Sequence, residues 1–293
     1  MEAYKRLADE GELGKEARML EEKLFDTGVV QINYAEGPAS GPALVLLHGG
    51  GDRWQDFLPI LPTLVLRWQV YALDLRGHGK SGRAGGAYRP EDYVADVVSF
   101  VKRQLGEQVI LFGHSLGGWI ALLAAVELAG KARALVLGDP PMNLVRFLEI
   151  EGSEERVEMW RKMGALAGSG LSVADLASAM SGSPSSGEAL DWAKKLSLVD
   201  PDVAQYHGEG RLDEYVSKID LDGALKRVRC PVLILQGDPP AGGVLSDRDV
   251  EQALGLLENG VFVRLQGKGH DLGLSNWEVA PLLRALSGFL ESL

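Results

Sequence analysis

Residues 109–118 read Val-Ile-Leu-Phe-Gly-His-Ser-Leu-Gly-Gly. Within them, Gly113-His114-Ser115-Leu116-Gly117 puts a serine between two glycines, directly after a short apolar run and directly before a helical one, Leu116 to Leu128. That order suits a sharp strand-to-helix turn that lifts a hydroxyl above a sheet. Such a turn strains the backbone at Ser115 and crowds positions 113 and 117, so both must lack a Cβ. It also aims the Leu116 amide along the start of a helix, where free N–H groups stabilise developing negative charge on oxygen. The chemistry this prepares is attack by the Ser115 hydroxyl on an electrophilic carbon. The competing reading is an ordinary serine in a glycine-rich turn.

A serine needs a base. Of the five histidines, His270 alone sits in a loop beyond a late apolar strand, in Gly267-Lys268-Gly269-His270-Asp271. Imidazole titrates near neutrality, so it can take the serine proton and return it. His48 lies in His48-Gly49-Gly50-Gly51, after the run Ala43 to Leu47. This glycine loop can supply a second oxyanion amide, with Gly50 the first choice and Gly51 the alternative, and His48 orients it. The base needs a carboxylate to hold its tautomer. Two aspartates at strand ends qualify, Asp238 and Asp139, each followed by Pro-Pro. Asp238 is preferred, Asp139 stays open, and Asp247 is a distant third.

The elements that must position these groups are short and apolar without alternation: Ala43–Leu47, Val70–Leu73, Val109–Phe112, Ala134–Leu137, Val232–Leu235 and Val261–Leu265. Such strands are buried on both faces, as in a parallel sheet. Helical stretches between them predict a sheet covered on both sides. Val29–Tyr34 alternates like a further strand, and residues 3–24 read as a charged, weakly amphipathic helix. About 90 residues separate the runs ending at 138 and starting at 232, too many for a structureless loop. Helices are expected there near 144–167, 172–181, 187–197 and 210–226. The division expected is a first core part over 1–139, a helical cap over 140–226 and a second core part over 227–293. Trp54, Phe57, Phe147 and Trp160 are candidate walls of a substrate pocket. For each of them, plain packing against neighbouring helices is the competing reading.

The chain has 293 residues and a formal net charge of -11, which disfavours nucleic acid and anionic membrane partners. Its single cysteine, Cys230, allows no internal disulfide, in keeping with the cytoplasm. The charged first 25 residues lack the apolar core of a signal peptide, and no apolar run is long enough to span a bilayer. The scattered histidines form no metal motif, so no metal is expected.

Taken together, these residues resemble the α/β-hydrolase superfamily over roughly residues 29–140 and 228–290. Asp74-Leu75-Arg76-Gly77-His78-Gly79-Lys80-Ser81 looks like the D-x-R-G-x-G-x-S turn of its esterase-, haloperoxidase- and dehalogenase-like members. The resemblance implies a mostly parallel eight-stranded sheet, no cofactor, and a helical cap between strands six and seven. It also implies an acid two or three residues past the glycine that ends strand seven. Here Asp238 follows Gly237 at once, which is why Asp139 remains a candidate. Serine at position 115 argues against epoxide hydrolases and haloalkane dehalogenases, whose members carry aspartate there. The expectation is a serine hydrolase cleaving carboxylic esters of small or medium acyl chains. The alternatives are hydrolysis of a lactone, amide or C–C bond, and ligand binding without turnover. The sequence carries no sign of an oligomeric state.

Overall fold

The computed structural model describes residues 20–181 and 187–293. Eight strands form one sheet: β1 Glu21–Asp26, β2 Gln31–Glu36, β3 Ala43–Leu47, β4 Gln69–Leu73, β5 Val109–His114, β6 Ala132–Gly138, β7 Val232–Gly237 and β8 Gly260–Leu265. Their order across the sheet is β1-β2-β4-β3-β5-β6-β7-β8. β1 and β2 pair antiparallel, as do β2 and β4, and every pair from β4 through β3 to β8 is parallel. The chain crosses over between β3 and β4, so the sheet reverses its winding at the β3–β5 pair. Ligands of open α/β sheets gather outside the strand ends at such a switch point.

The helices are α1 Leu61–Leu64, α2 Pro90–Phe100, α3 Leu116–Glu127, α4 Leu144–Glu151, α5 Glu154–Ala167, α6 Val173–Ser181, α7 Gly187–Leu196, α8 Gln205–Gly208, α9 Leu212–Val216, α10 Leu221–Arg227, α11 Asp247–Leu256 and α12 Ala280–Leu290. The central strands β3, β5 and β7 are buried along their whole length, as unbroken apolar runs require. One core layer lies between the sheet and α2, α3 and α10, around Trp119, Val97 and Leu225. The other lies under α1 and α12, around Phe57, Phe112 and Leu282. α4 to α10 occupy the interval between β6 and β7, where the sequence calls for helices.

One expectation fails at the N-terminus. Residues 21–24 belong to β1, not to a helix; residues 1–19 of the expected helix lie outside the described residues. β1 runs Glu21 to Asp26 against Glu36 to Gln31 and supplies the eighth strand. Its charged residues gave a helical reading because an edge strand with solvent on one side need not be apolar. Leu24 is 59% exposed while Phe25 is buried.

Candidate active site

Ser115 is the N-cap of α3 and joins it to β5. Its backbone takes φ 52°, ψ -119°, a strained conformation for a residue with a side chain. The flanking glycines make that bend possible. A Cβ on Gly113 would collide with the Gly117 carbonyl, and a Cβ on Gly117 with the carbonyls of Leu47 and His48. The bend is tied to the next strand by the Ser115 amide, which donates to the Gly138 carbonyl at 2.9 Å.

Ser115 Oγ lies 2.9 Å from His270 Nε2, and His270 Nδ1 lies 2.8 Å from Asp139 Oδ2. Asp139 is fully buried at the end of β6, with φ 47°. Its carboxylate also accepts the amides of Gly237 and Leu245 on Oδ1, at 3.0 and 3.1 Å, and of Val244 on Oδ2, at 2.7 Å. Three backbone donors therefore satisfy the oxygens of a carboxyl group that no water reaches. Gly237 has a further reason to be glycine. A Cβ there would sit 3.0 Å from Asp139 Oδ2 and 2.7 Å from the Gly269 carbonyl, in the loop that carries His270.

Asp238, the preferred acid in the sequence, stands elsewhere. Its Oδ2 accepts the Gly267 amide at 2.8 Å, and its own amide donates to the Lys268 carbonyl at 2.6 Å. Asp238 thus pins the histidine loop to the end of β7 and makes no contact with the imidazole. The order is corrected: the carboxylate on His270 comes from the end of β6. With Asp238 only one step past Gly237, its side chain is spent on the loop backbone.

The glycine loop after β3 is held by two neutral imidazoles. His48 Nδ1–H donates to the Gly49 carbonyl at 2.7 Å, while Nε2 accepts the Leu75 amide at 2.9 Å. His78 Nδ1–H donates to the Arg76 carbonyl at 2.9 Å, and its Nε2 accepts the Gly51 amide at 3.1 Å. Burial pushes both rings down to about 4, so neither carries charge at neutral pH. The second bond distinguishes the two glycine amides. The Gly51 N–H is engaged with His78, whereas Gly50 lines the same cavity as Ser115, Leu116 and His270. Neither the Gly50 nor the Leu116 amide meets an acceptor among the described residues.

The turn after β4 braces this loop. Asp74 accepts the Trp54 amide at 2.8 Å, the Lys80 amide at 2.9 Å and the Asn33 side-chain amide at 2.8 Å. Arg76 forms a buried two-pronged pair with Asp96, at 2.6 and 2.7 Å. On the other side, Lys195 of α7 reaches Asp56 at 2.6 Å and Asp52 at 3.2 Å. Burial raises the Asp56 carboxyl to about 6, with the Asp52 charge adding to the rise. Burial is also the largest influence on Asp52 and works to raise it, but several opposing interactions, Lys195 foremost, together leave the carboxyl below its ordinary value. His114, beside the serine, donates from Nε2 to the His270 carbonyl at 2.7 Å, and burial lowers its pKa. The links Arg76–Asp96, Lys195–Asp56 and His114–His270 have no spacing signature, since each joins groups far apart in the chain.

Ser115, His270, Leu116 and Gly50 open into a cavity of about 870 Å³. Phe147 and Trp160 line it, together with Trp119, Met142 and Tyr215. Trp54 and Phe57 do not. Both are buried in the core beneath α1, where Trp54 Nε1 donates to Glu22 at 2.8 Å and Phe57 packs 5.7 Å from Phe112. The turn Trp54–Phe57 faces the sheet, not the substrate space. Among the described residues no group of three or more His, Cys, Asp or Glu could hold a metal ion, and no helix is long and apolar enough to cross a membrane.

Comparison with known proteins places this architecture. The chain is 32% identical over 114 residues to 2-(acetamidomethylene)succinate hydrolase of Mesorhizobium japonicum, a match covering 39% of this chain and only 41% of that protein. It is 29% identical over 260 residues to proline iminopeptidase PfmaB of Pestalotiopsis fici, covering 78% of this chain and 90% of the relative. Among solved structures, a bacterial membrane phospholipase A superposes with a TM-score of 0.72 at 24% identity, over 99% of this chain and 90% of that one; this shows the shared fold. The model of the alpha/beta hydrolase family matches residues 44–280, from the first parallel strand to the start of α12 and across Ser115, Asp139 and His270, and this chain belongs to that family.

Proposed function

We propose that this chain is a serine hydrolase that cleaves carboxylic esters through an acyl-enzyme. The observation that carries the reading is the continuous line from Ser115 Oγ to His270 Nε2, at 2.9 Å, and from His270 Nδ1 to Asp139, at 2.8 Å. With Asp139 accepting from Nδ1–H, the Nε2 lone pair faces the serine hydroxyl. His270 takes the Ser115 proton as Oγ attacks the substrate carbonyl. The resulting oxyanion is received by the Leu116 and Gly50 amides. Collapse expels the alcohol, which takes the proton from His270. Water then attacks the acyl-enzyme with His270 again as base, releasing the acid and restoring the serine. Asp139 keeps the tautomer and stabilises the imidazolium formed twice per cycle.

Residues 140–226 serve in this reading as a cap over the strand ends, shaping the space for the acyl or alcohol arm. The names of the two curated relatives keep amide bonds in view as substrates, since the same groups serve both reactions and fold alone does not separate them. A panel of p-nitrophenyl esters and matching anilides distinguishes them, with esters expected to be the faster class. Ser115→Ala tests the reading itself. Turnover of p-nitrophenyl butyrate falls by at least about a thousandfold in a folded variant. Undiminished turnover overturns the proposal.

A further inference from the structure

Several polar side chains that no step above uses line the cavity, among them Arg146, Arg156, Lys162 and Tyr215, and one of them, His207, holds a buried nitrogen without a partner. His207, on the short helix α8, is 8% exposed and lines the cavity wall. Its Nδ1 is buried without a hydrogen-bond partner. Aromatic rings surround it: Trp160 at 4.6 Å between centroids, Tyr215 at 5.0 Å and Phe147 at 6.2 Å. Phe147 in turn packs 4.9 Å from Trp119, one turn along the helix that Ser115 caps. An aromatic wall therefore runs from the nucleophile to an imidazole.

A buried polar atom left unpaired costs about 1–3 kcal/mol, and in native proteins such an atom calls for a specific reason. The charged neighbours do not supply a partner. Arg156 and Trp160 Nε1 are both committed to Glu151, the arginine at 2.7 and 3.1 Å and the indole at 2.8 Å. Burial holds the imidazole down to about 4, so it presents one donor and one acceptor and no charge. Such a ring suits a neutral partner and gives no advantage to a carboxylate or an ammonium. A flip of the ring exchanges nitrogen and carbon edges, so the ligand decides which nitrogen it meets.

Resting on the serine-hydrolase reading, we infer that His207 is a specificity residue, hydrogen-bonding a neutral hydroxyl or carbonyl at the far end of a substrate whose long apolar arm lies along the aromatic wall. A cavity of about 870 Å³ is far larger than an acetyl or butyryl group fills, and it falls in the range that encloses drug-sized ligands. The substrate class is thus an ester with one long arm that is apolar along its length and polar but uncharged at its tip.

Two matched series test this: p-nitrophenyl esters of straight-chain acids from C4 to C14, each with a methyl or a hydroxyl terminus, and acetates of straight-chain alcohols built the same way. In the wild-type enzyme the hydroxyl-to-methyl ratio of kcat/KM rises to a maximum at one length in one series, about tenfold above its value for the shortest pair. His207→Phe removes that maximum, and His207→Gln, which can still hydrogen-bond, keeps part of it. The ratio is taken within each protein, so a general loss of activity cancels. A ratio that stays flat with length in both series, or a maximum that survives in His207→Phe, overturns the inference. Absence of ester turnover in the wild-type enzyme would instead defeat the hydrolase reading on which it rests.

Discussion

Asp139 and His270 meet at 2.8 Å although they lie 131 positions apart, because the loop after β8 passes over the end of β7 to reach the end of β6. Asp238, at the end of β7 itself, is nearer to His270 in sequence and spends its carboxylate on the Gly267 amide. The two aspartates therefore divide the work: one holds the ring, the other holds the loop. Asp139→Asn is expected to lower kcat for p-nitrophenyl butyrate by about three to four orders of magnitude, as loss of the tautomer-fixing acid does. Asp238→Asn is expected to stay within about tenfold of wild type, since an amide oxygen can still accept from Gly267. Steady-state kinetics on the two variants check the assignment, and the reverse ranking contradicts it.

The nucleophile turn makes a backbone prediction. Gly113→Ala forces a Cβ into the Gly117 carbonyl, with backbone on both sides and no side chain to yield. The variant is expected to lose more than about 3 kcal/mol or to fail to fold. Gly255→Ala is the control, in α11 with nothing within 4 Å of the added methyl. It is expected to be neutral or to gain up to about 1 kcal/mol from helix propensity. Urea unfolding of the pair reads both outcomes.

Lys195 carries a different kind of load. It is the cation between Asp52 and Asp56, just past the oxyanion loop, and it anchors α7 there. Lys195→Met leaves two adjacent, partly buried carboxyls without a counter-ion. The expected loss is about 2 kcal/mol, between the effects of breaking a buried and an exposed pair. A loss below about 1 kcal/mol in denaturant titration would show that the cluster bears no weight.

His207 also has a signature in stability. Burial is the main cause of its low pKa, with Glu151 opposing and Arg156 assisting. An unfolded histidine titrates near 6.5 and this one near 4. Between those values the unfolded chain binds the extra proton, so His207 destabilises the fold as pH drops through that window and has no such effect above about pH 7. His207→Phe removes the penalty. Relative to wild type, the variant is expected to gain about 2 kcal/mol more at pH 5 than at pH 7.5. An equal difference at the two pH values would mean that the ring is not held neutral by burial.

Much of this molecule was legible in its sequence. The parallel strands were readable because they are buried on both faces, and Ser115 because its bend demands glycine at 113 and 117. β1 was not, because an edge strand with charged, exposed residues has no apolar signature. The carboxylate that meets His270 was not, because two strands each end in Asp-Pro-Pro, and only the path of the loop after β8, pinned by Asp238 and reaching Asp139, separates them. Gly50 and Gly51 were indistinguishable until His78, from a turn 27 residues away, was found to occupy the Gly51 amide. Trp54 and Phe57 misled because a turn beside the glycine loop can face inward or outward, and local sequence does not say which.

The central claim is that Ser115 is an activated nucleophile, and a fluorophosphonate probe reads it without any choice of substrate. Mass spectrometry is expected to find one phosphonyl adduct per chain, on the peptide containing Ser115, formed far more slowly in Asp139→Asn. A chain that stays unlabelled while folded, or one labelled on another residue, would contradict the account.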